Sequence, residues 1–272
     1  MSKVKVLGIQ MLAAGHKRDN LAKALNLIDQ SVALYGTPDF VVLPEYCYHV
    51  PVPGDVEEAA ESIPGEYSES MSAKAKSLGV YLLAGSFPEK AAAGKYCNTS
   101  LLFDRQGQTI GTYRKTHLFD AMAYKESDSV QPGDSLTLAE TEFGPVGMMV
   151  CYDLRFPEIP RTLALQGAKI LFAPAAFPSG AVLPARTDHW DLLVQSMALL
   201  NLCYTVGVNQ FGQHNTDYYF GRSMIVDPWG VPLAQAQPGE GTVFGVLDLD
   251  QIDAVRAKMP VFAQRRSELY RL

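Results

Sequence analysis

The sequence predicts an α/β fold, a four-layer α-β-β-α sandwich, and three observations point to it. Apolar runs alternate with helix-period stretches along the whole chain, the order β-α-β-α-β occurs twice, and the strongest apolar runs are continuous. Continuous runs mark strands covered on both faces. Each half-unit therefore needs helices on one face of its sheet and an apolar partner on the other, which two sheets stacked between outer helix layers supply. The repeat is architectural, because the halves share no residue-level identity.

The elements follow in order. Residues 4–11 form an apolar strand, and after a polar break Asp19 opens a helix with Leu21, Leu25, Ile28, Val32 and Tyr35 on one face and Gly36 closing it. Phe40-Val41-Val42-Leu43 is a buried strand that stops at Pro44-Glu45, so a carboxylate stands at a strand's C-terminal end. A helix over 67–78, strands over 80–87 and 98–104, and a turn at Arg105-Gln106-Gly107-Gln108 complete the first half. The second half reads as strand 146–150, helix 158–166, strand 170–174, helix 189–201 and strand 204–209. Strands 223–226 and 243–249 follow, separated by the turns Asp227-Pro228-Trp229-Gly230 and Gln237-Pro238-Gly239.

Bulk composition narrows the function. The even make-up of 272 residues gives no reason to cut the chain, so one domain over 1–272 is expected. With 47% hydrophobic and 19% charged residues, a buried core is favoured over disorder. A net charge of -6 offers no basic field for nucleic acid or anionic lipid. The first apolar run is too brief for a signal segment, and no run reaches the roughly 20 residues that span a bilayer, so a cytoplasmic location is expected. Cysteines at 47, 97, 151 and 203 form neither a CxxC pair nor a disulfide framework. Histidines at 16, 49, 117, 189 and 214 form no HxH or HExxH pattern, so no metal and no cofactor is expected, and a metallohydrolase is a weak alternative.

Chemistry concentrates around Gly147-Met148-Met149-Val150-Cys151-Tyr152-Asp153-Leu154-Arg155-Phe156-Pro157-Glu158. An apolar strand stops at the cysteine, charged residues follow, and a helix begins near Pro157, the strand-to-helix elbow that exposes a nucleophile and aims backbone N–H groups at an oxyanion. A lone cysteine is more often a buried packing residue. Taken singly, Glu45 reads as a loop carboxylate, Lys115 as half of a basic pair and Glu126 as part of a polar linker.

Three further segments change that balance: Leu43-Pro44-Glu45-Tyr46, Tyr113-Arg114-Lys115-Thr116-His117-Leu118-Phe119-Asp120, and Lys125 through Asp134. With the cysteine segment they resemble the Glu, Lys and Cys motifs of the nitrilase, or carbon-nitrogen hydrolase, superfamily, in order and from the first strand to the C-terminus. The string from Arg114 to Asp120 and the tail from Lys258 to Tyr270 look most like the branch of omega-amidases and deaminated-glutathione amidases. The resemblance implies that Cys151 attacks an amide carbonyl, Glu45 moves the proton, Lys115 stabilises the oxyanion with the N–H after Cys151, and Glu126 orients Lys115 and the substrate. Ammonia would leave from a thioester intermediate that water then hydrolyses.

Arg155, four residues past the nucleophile, is where a carboxylate of an ω-amide of a dicarboxylic or 2-oxo acid would meet a bidentate fork, with Tyr152 beside it. A structural pairing of Arg155 with Asp153 or Glu158 is the plainer reading. The segment 175–190 looks a few residues longer than in omega-amidases, and Met197, Leu200 and Leu202 make the following helix more apolar than in relatives, which alters a pocket floor or an interface. Nitrile hydrolysis on the same site and a non-catalytic binding protein on this fold are the alternatives. An N-acyltransferase is disfavoured, since that branch adds a membrane domain. Met259-Pro260-Val261-Phe262 has no obvious place in its own sheets, so residues 254–272 are expected to extend toward a partner subunit in a homodimer or higher homo-oligomer. Val261 and Phe262 covering an edge of their own chain is the other option.

Overall fold

The computed structural model describes residues 3–52, 55–92, 94–122, 124–179 and 186–270. The chain runs β1 (Lys3–Gln10), α1 (Lys17–Tyr35), β2 (Phe40–Val42), α2 (Val56–Ala59), α3 (Glu66–Leu78), β3 (Tyr81–Lys90), β4 (Tyr96–Phe103) and β5 (Thr109–Arg114). It continues through β6 (Thr137–Ala139), β7 (Val146–Met148), α4 (Glu158–Leu165), β8 (Ile170–Ala175), α5 (Arg186–Asn201) and β9 (Tyr204–Asn209). Then come β10 (Phe211–His214), β11 (Asp217–Phe220), β12 (Met224–Val226), β13 (Pro232–Gln235), β14 (Gly241–Asp248) and α6 (Asp250–Lys258).

Two six-stranded sheets result, ordered β14-β1-β2-β3-β4-β5 and β13-β12-β9-β8-β7-β6, with β10 and β11 as a separate hairpin. Each sheet has a parallel centre: β1, β2 and β3 in one, with Val6 opposite Phe40 and Phe40 opposite Tyr81, and β7, β8 and β9 in the other, with Val146 opposite Ile170 and Ile170 opposite Tyr204. The remaining pairings are antiparallel, so both sheets show the same series of strand directions when read from β14 to β5 and from β6 to β13. That series is the architectural repeat expected from the two β-α-β-α-β stretches.

Side-chain alternation explains the layering. In β1, Val4 and Val6 enter the core between the sheets, while Leu7 and Ile9 on the other face meet Leu21, Ala24 and Ile28 of α1 and Met71 and Ala75 of α3. Phe40 and Phe172 bridge the two sheets with ring centroids 5.3 Å apart. On the far face of the second sheet lie Leu163 of α4 and Trp190, Val194 and Met197 of α5. Each such fully buried side chain contributes about 1.5 to 3 kcal/mol. The four-layer α-β-β-α sandwich is thus the fold.

The differences from the sequence reading are local. α1 begins at Lys17 behind His16, two residues ahead of Asp19, while Gly36 ends it with φ of 77° as expected. Strands β5, β6, β10, β11 and β13 and helix α6 go unread in the sequence, since each is short or half exposed and carries little apolar period. Residues 180–185 of the longer loop lie outside the described residues. Met197 and Leu202 pack into the core, whereas Leu200 is half exposed and its carbonyl accepts a bond from Arg161. In the tail, Phe262 rests on its own chain, beneath the guanidinium groups of Arg161 at 5.3 Å and Arg256 at 5.2 Å, while Met259, Leu269 and Tyr270 face outward.

Candidate active site

The C-terminal ends of β2, β5, β7 and β8 bring the candidate residues together. Past β2, Leu43 N–H still pairs with Leu83 at 3.0 Å, then Pro44 ends the ladder and Tyr46 turns the chain with φ of 55°. The exit crosses β3 so closely that a Cβ on Gly85 would lie 2.0 Å from the Pro44 carbonyl oxygen, which only glycine permits. Glu45 is delivered to the interior, 2% exposed. Three donors fix its carboxylate: Asn98 Nδ2 at 2.8 Å and Lys115 Nζ at 3.1 Å on Oε1, and Ala176 N–H at 2.6 Å on Oε2.

Lys115 follows β5. Its backbone N–H donates to Asn98 at 2.9 Å and its carbonyl accepts from Gly133 N–H at 2.9 Å, while a Cβ on Gly133 would lie 2.2 Å from the Arg114 oxygen. The side chain is buried, and its ammonium also reaches both Glu126 oxygens at 3.0 and 2.9 Å. Glu126 stands at the start of a short turn, with Oε2 accepting from Phe119 N–H at 2.6 Å and Oε1 from Tyr46 OH at 3.2 Å. Burial opposes the Lys115 charge, but Glu126 and Glu45 outweigh it and hold the lysine well above its ordinary pKa. Lys115 is a permanent cation between two carboxylates.

Cys151 sits at the end of β7 on the first residue of a tight turn, with φ of 51°. A non-glycine residue in that left-handed conformation costs on the order of 1 to 3 kcal/mol and needs its surroundings to hold it. Asp153, fully buried, does so. Its Oδ2 accepts from Val150 N–H at 2.9 Å and Tyr113 OH at 2.7 Å, and its Oδ1 from His117 N–H at 3.1 Å and Thr116 Oγ1 at 3.3 Å. Burial pushes the Cys151 thiol well above its usual pKa, and the Glu45 charge and hydrogen bond add to this against the opposing Lys115 ammonium. With two carboxylates and one ammonium around it, the sulfur rests protonated, next to an acceptor for its proton and a cation for a developing oxyanion.

The other expected residues lie nearer the rim. Tyr152 packs edge-on against Phe119 and Phe156, with centroids 4.9 and 5.3 Å apart. Arg155 is exposed, and its Nη2 meets His189 Nδ1 at 3.3 Å rather than Asp153 or Glu158. Asn98, Asp153, Ala176 and Arg186 lie around these groups without any motif of their own in the sequence to mark them. Asp153 carried the one usable signal, an acid two residues past the cysteine, but its partners Tyr113, Thr116 and His117 come from a distant segment. Among the described residues no group of three or more His, Cys, Asp or Glu has the arrangement of a metal site.

Comparison with known proteins places the chain in a family. The carbon-nitrogen hydrolase family model matches residues 4–257. The omega-amidase NIT2 of Homo sapiens is 36% identical over 99% of this chain and 98% of its own, and that of Danio rerio is 35% identical over 99% and 97%. A carbon-nitrogen hydrolase from Helicobacter pylori superposes with a TM-score of 0.93 at 26% identity over 99% of this chain and 97% of that one. Saccharomyces cerevisiae Nit3, a member of branch 10 of the nitrilase superfamily, superposes with 0.87 at 30% over 97% of each chain. The sandwich is that of the nitrilase superfamily. Within it, the chain belongs to the carbon-nitrogen hydrolase family and is an enzyme of that class.

Proposed function

We propose that the protein hydrolyses the terminal C–N bond of a small linear amide through a cysteine thioester, with an ω-amide of a dicarboxylic or 2-oxo acid as substrate. The observation that carries this reading is one buried thiol within electrostatic reach of a carboxylate and an ammonium that already bond to each other. Cys151 Sγ attacks the carbonyl carbon as Glu45 takes the thiol proton, and Lys115 Nζ binds the oxyanion, a contribution of about 3 to 4 kcal/mol for such a donor. The C–N bond then breaks, Glu45 returns the proton to nitrogen, and ammonia leaves the thioester. Glu45 next takes a proton from water, the hydroxide adds to the thioester carbon, and C–S cleavage frees the acid as the sulfur regains a proton. Glu126 holds Lys115 in line.

The choice of ω-amides draws on the relatives named omega-amidase. The test is ammonia release from 2-oxoglutaramate, 2-oxosuccinamate and simple aliphatic amides by the wild type and by Cys151→Ala and Cys151→Ser. Both variants should fold and lose turnover, and retained activity in either removes the nucleophile from the scheme. The enzyme is further read as a cytoplasmic, single-domain homodimer. Leu192 and Leu199, 62% and 48% exposed on α5, and the outward residues of the tail offer the apolar surface that a second copy would cover.

A further inference from the structure

Arg186 opens α5 and is only 5% exposed, yet its guanidinium has no carboxylate partner among the described residues. Nη1 reaches Met122 Sδ at 3.5 Å, and Nε, also buried, has no hydrogen-bond partner among the described residues. The group lies against two aromatic rings, Phe177 at 4.4 Å and Phe119 at 5.2 Å. Both rings belong to segments that hold the site's carboxylates: Phe177 follows Ala176, whose N–H binds Glu45, and the N–H of Phe119 binds Glu126.

Electrostatics agree with that location. Burial pushes the Arg186 pKa down, a negative charge on the Cys151 sulfur would oppose that, and Arg155 repels it. Arg186 thus lies within electrostatic reach of both the thiol and Arg155. Arg155 is in contact with His189, and Asp217, an acid within electrostatic reach of Arg186, is itself bonded to Tyr124 OH. A buried arginine with a free Nε edge is a costly arrangement unless an anion completes it, and the fork of Nε and Nη matches the two oxygens of a carboxylate.

We infer that Arg186 is the carboxylate-binding residue of the substrate pocket, selecting amides that carry a negative charge at the end remote from the amide, while Arg155 at the rim is a lesser contact. The inference rests on reading the site as an amidase and adds to it the residue that sets charge preference. It transfers the carboxylate from Arg155, where the sequence suggests it, to a residue of the segment that looks longer than in relatives.

The experiment compares kcat/KM for succinamate with that for neutral butyramide, using full-length wild type, Arg186→Gln, Arg186→Lys and Arg155→Gln. Arg186→Gln should lower the anionic-to-neutral ratio about 10- to 100-fold, the loss expected for one charge-assisted contact. Arg186→Lys should recover part of it, since charge is kept and the fork is lost, and Arg155→Gln should lower it less than Arg186→Gln does. An unchanged ratio in Arg186→Gln, or a proportional loss on both amides, overturns the inference, the latter because a structural role would act on both alike. Calorimetric titration of Cys151→Ala with glutarate, with and without Arg186→Gln, reads the anion site without turnover. If no amide is hydrolysed but glutarate binding still requires Arg186, the amidase reading falls and the anion site stands. If amides are hydrolysed and glutarate binds equally without Arg186, the reverse holds.

Discussion

Asp153→Asn is the most discriminating change outside the reacting groups. The carboxylate accepts at both oxygens from fixed donors, Val150 N–H at 2.9 Å on one and His117 N–H at 3.1 Å on the other. Whichever way an amide is turned, its NH2 confronts one of these backbone donors, whereas the Tyr113 and Thr116 hydroxyls can rotate to accept. One orphaned buried N–H costs about 1 to 3 kcal/mol, and two charge-assisted bonds reduced to neutral ones lose about 1 kcal/mol each. The sum is roughly 3 to 5 kcal/mol, a large share of the stability of an ordinary domain. Because Val150 precedes Cys151, the sulfur also shifts, and a displacement near 1 Å costs about 100-fold in rate. Urea unfolding followed by circular dichroism, with an unchanged m-value, measures the first effect, and steady-state ammonia release in the residual folded protein the second. A stability loss under about 1 kcal/mol together with kcat within about threefold of wild type would refute the view that Asp153 holds the elbow.

Removing Lys115 as Lys115→Met leaves Glu45 and Glu126 buried without their cation and should cost about 3 to 5 kcal/mol, with part recovered on adding Glu126→Gln; equal stability of the single and double variants would contradict the pairing. Since the fold raises the Lys115 pKa, its contribution is complete below the unfolded value near 10.4 and lost only as pH climbs through the higher folded value. The stability gap between wild type and Lys115→Met should accordingly stay flat from pH 7 to 10, checked by unfolding midpoints across that range. The raised Cys151 pKa makes inactivation by iodoacetamide climb about tenfold per pH unit between 7 and 9, and Glu45→Gln, by removing a negative charge beside the sulfur, should speed it at pH 7. A pH-independent rate would show that the thiol is already ionised. Leu192→Glu combined with Leu199→Glu should convert a dimer to monomer by light scattering; an unchanged mass moves the interface elsewhere.

The legible parts of this protein were those in which one residue type suffices to predict a neighbour. The continuous run from Phe40 to Leu43 and the run before Cys151 mark buried strands, and in the fold Glu45 and Cys151 follow just beyond their C-terminal ends. Helix α1 was readable from its apolar period and Gly36. By contrast, β13 begins with proline and is largely exposed, and α6 has only Ile252 and Val255 buried, so neither has a pattern to detect. The same limit applies within the site. Asn98 is an unremarkable strand residue until β4 lies beside the exit of β2, and Arg186 looks like a helix-start cation until its burial between two rings is known. Phe262 belongs with these, since its seat is made by arginines of α4 and α6 that sequence distance hides.

The position of β14 also sets an order on how the chain can close. β1 leads the sequence, yet its outer neighbour is β14, so from Gln10 to Gly241 the backbone edge of the first sheet waits for a partner while the second sheet can finish at Gln235. An open strand edge pairs readily with other chains, and charged side chains along it are a common safeguard. Lys3 and Lys5, the exposed positions of β1, stand on that edge strand. A ribosome that stalls before residue 241 would release a chain with this edge bare and only those two lysines guarding it. Cutting the turn at Gln237-Pro238-Gly239 and placing β14, α6 and the tail ahead of β1 would make the strands of each sheet one uninterrupted series, and the open edge would close as soon as β1 follows.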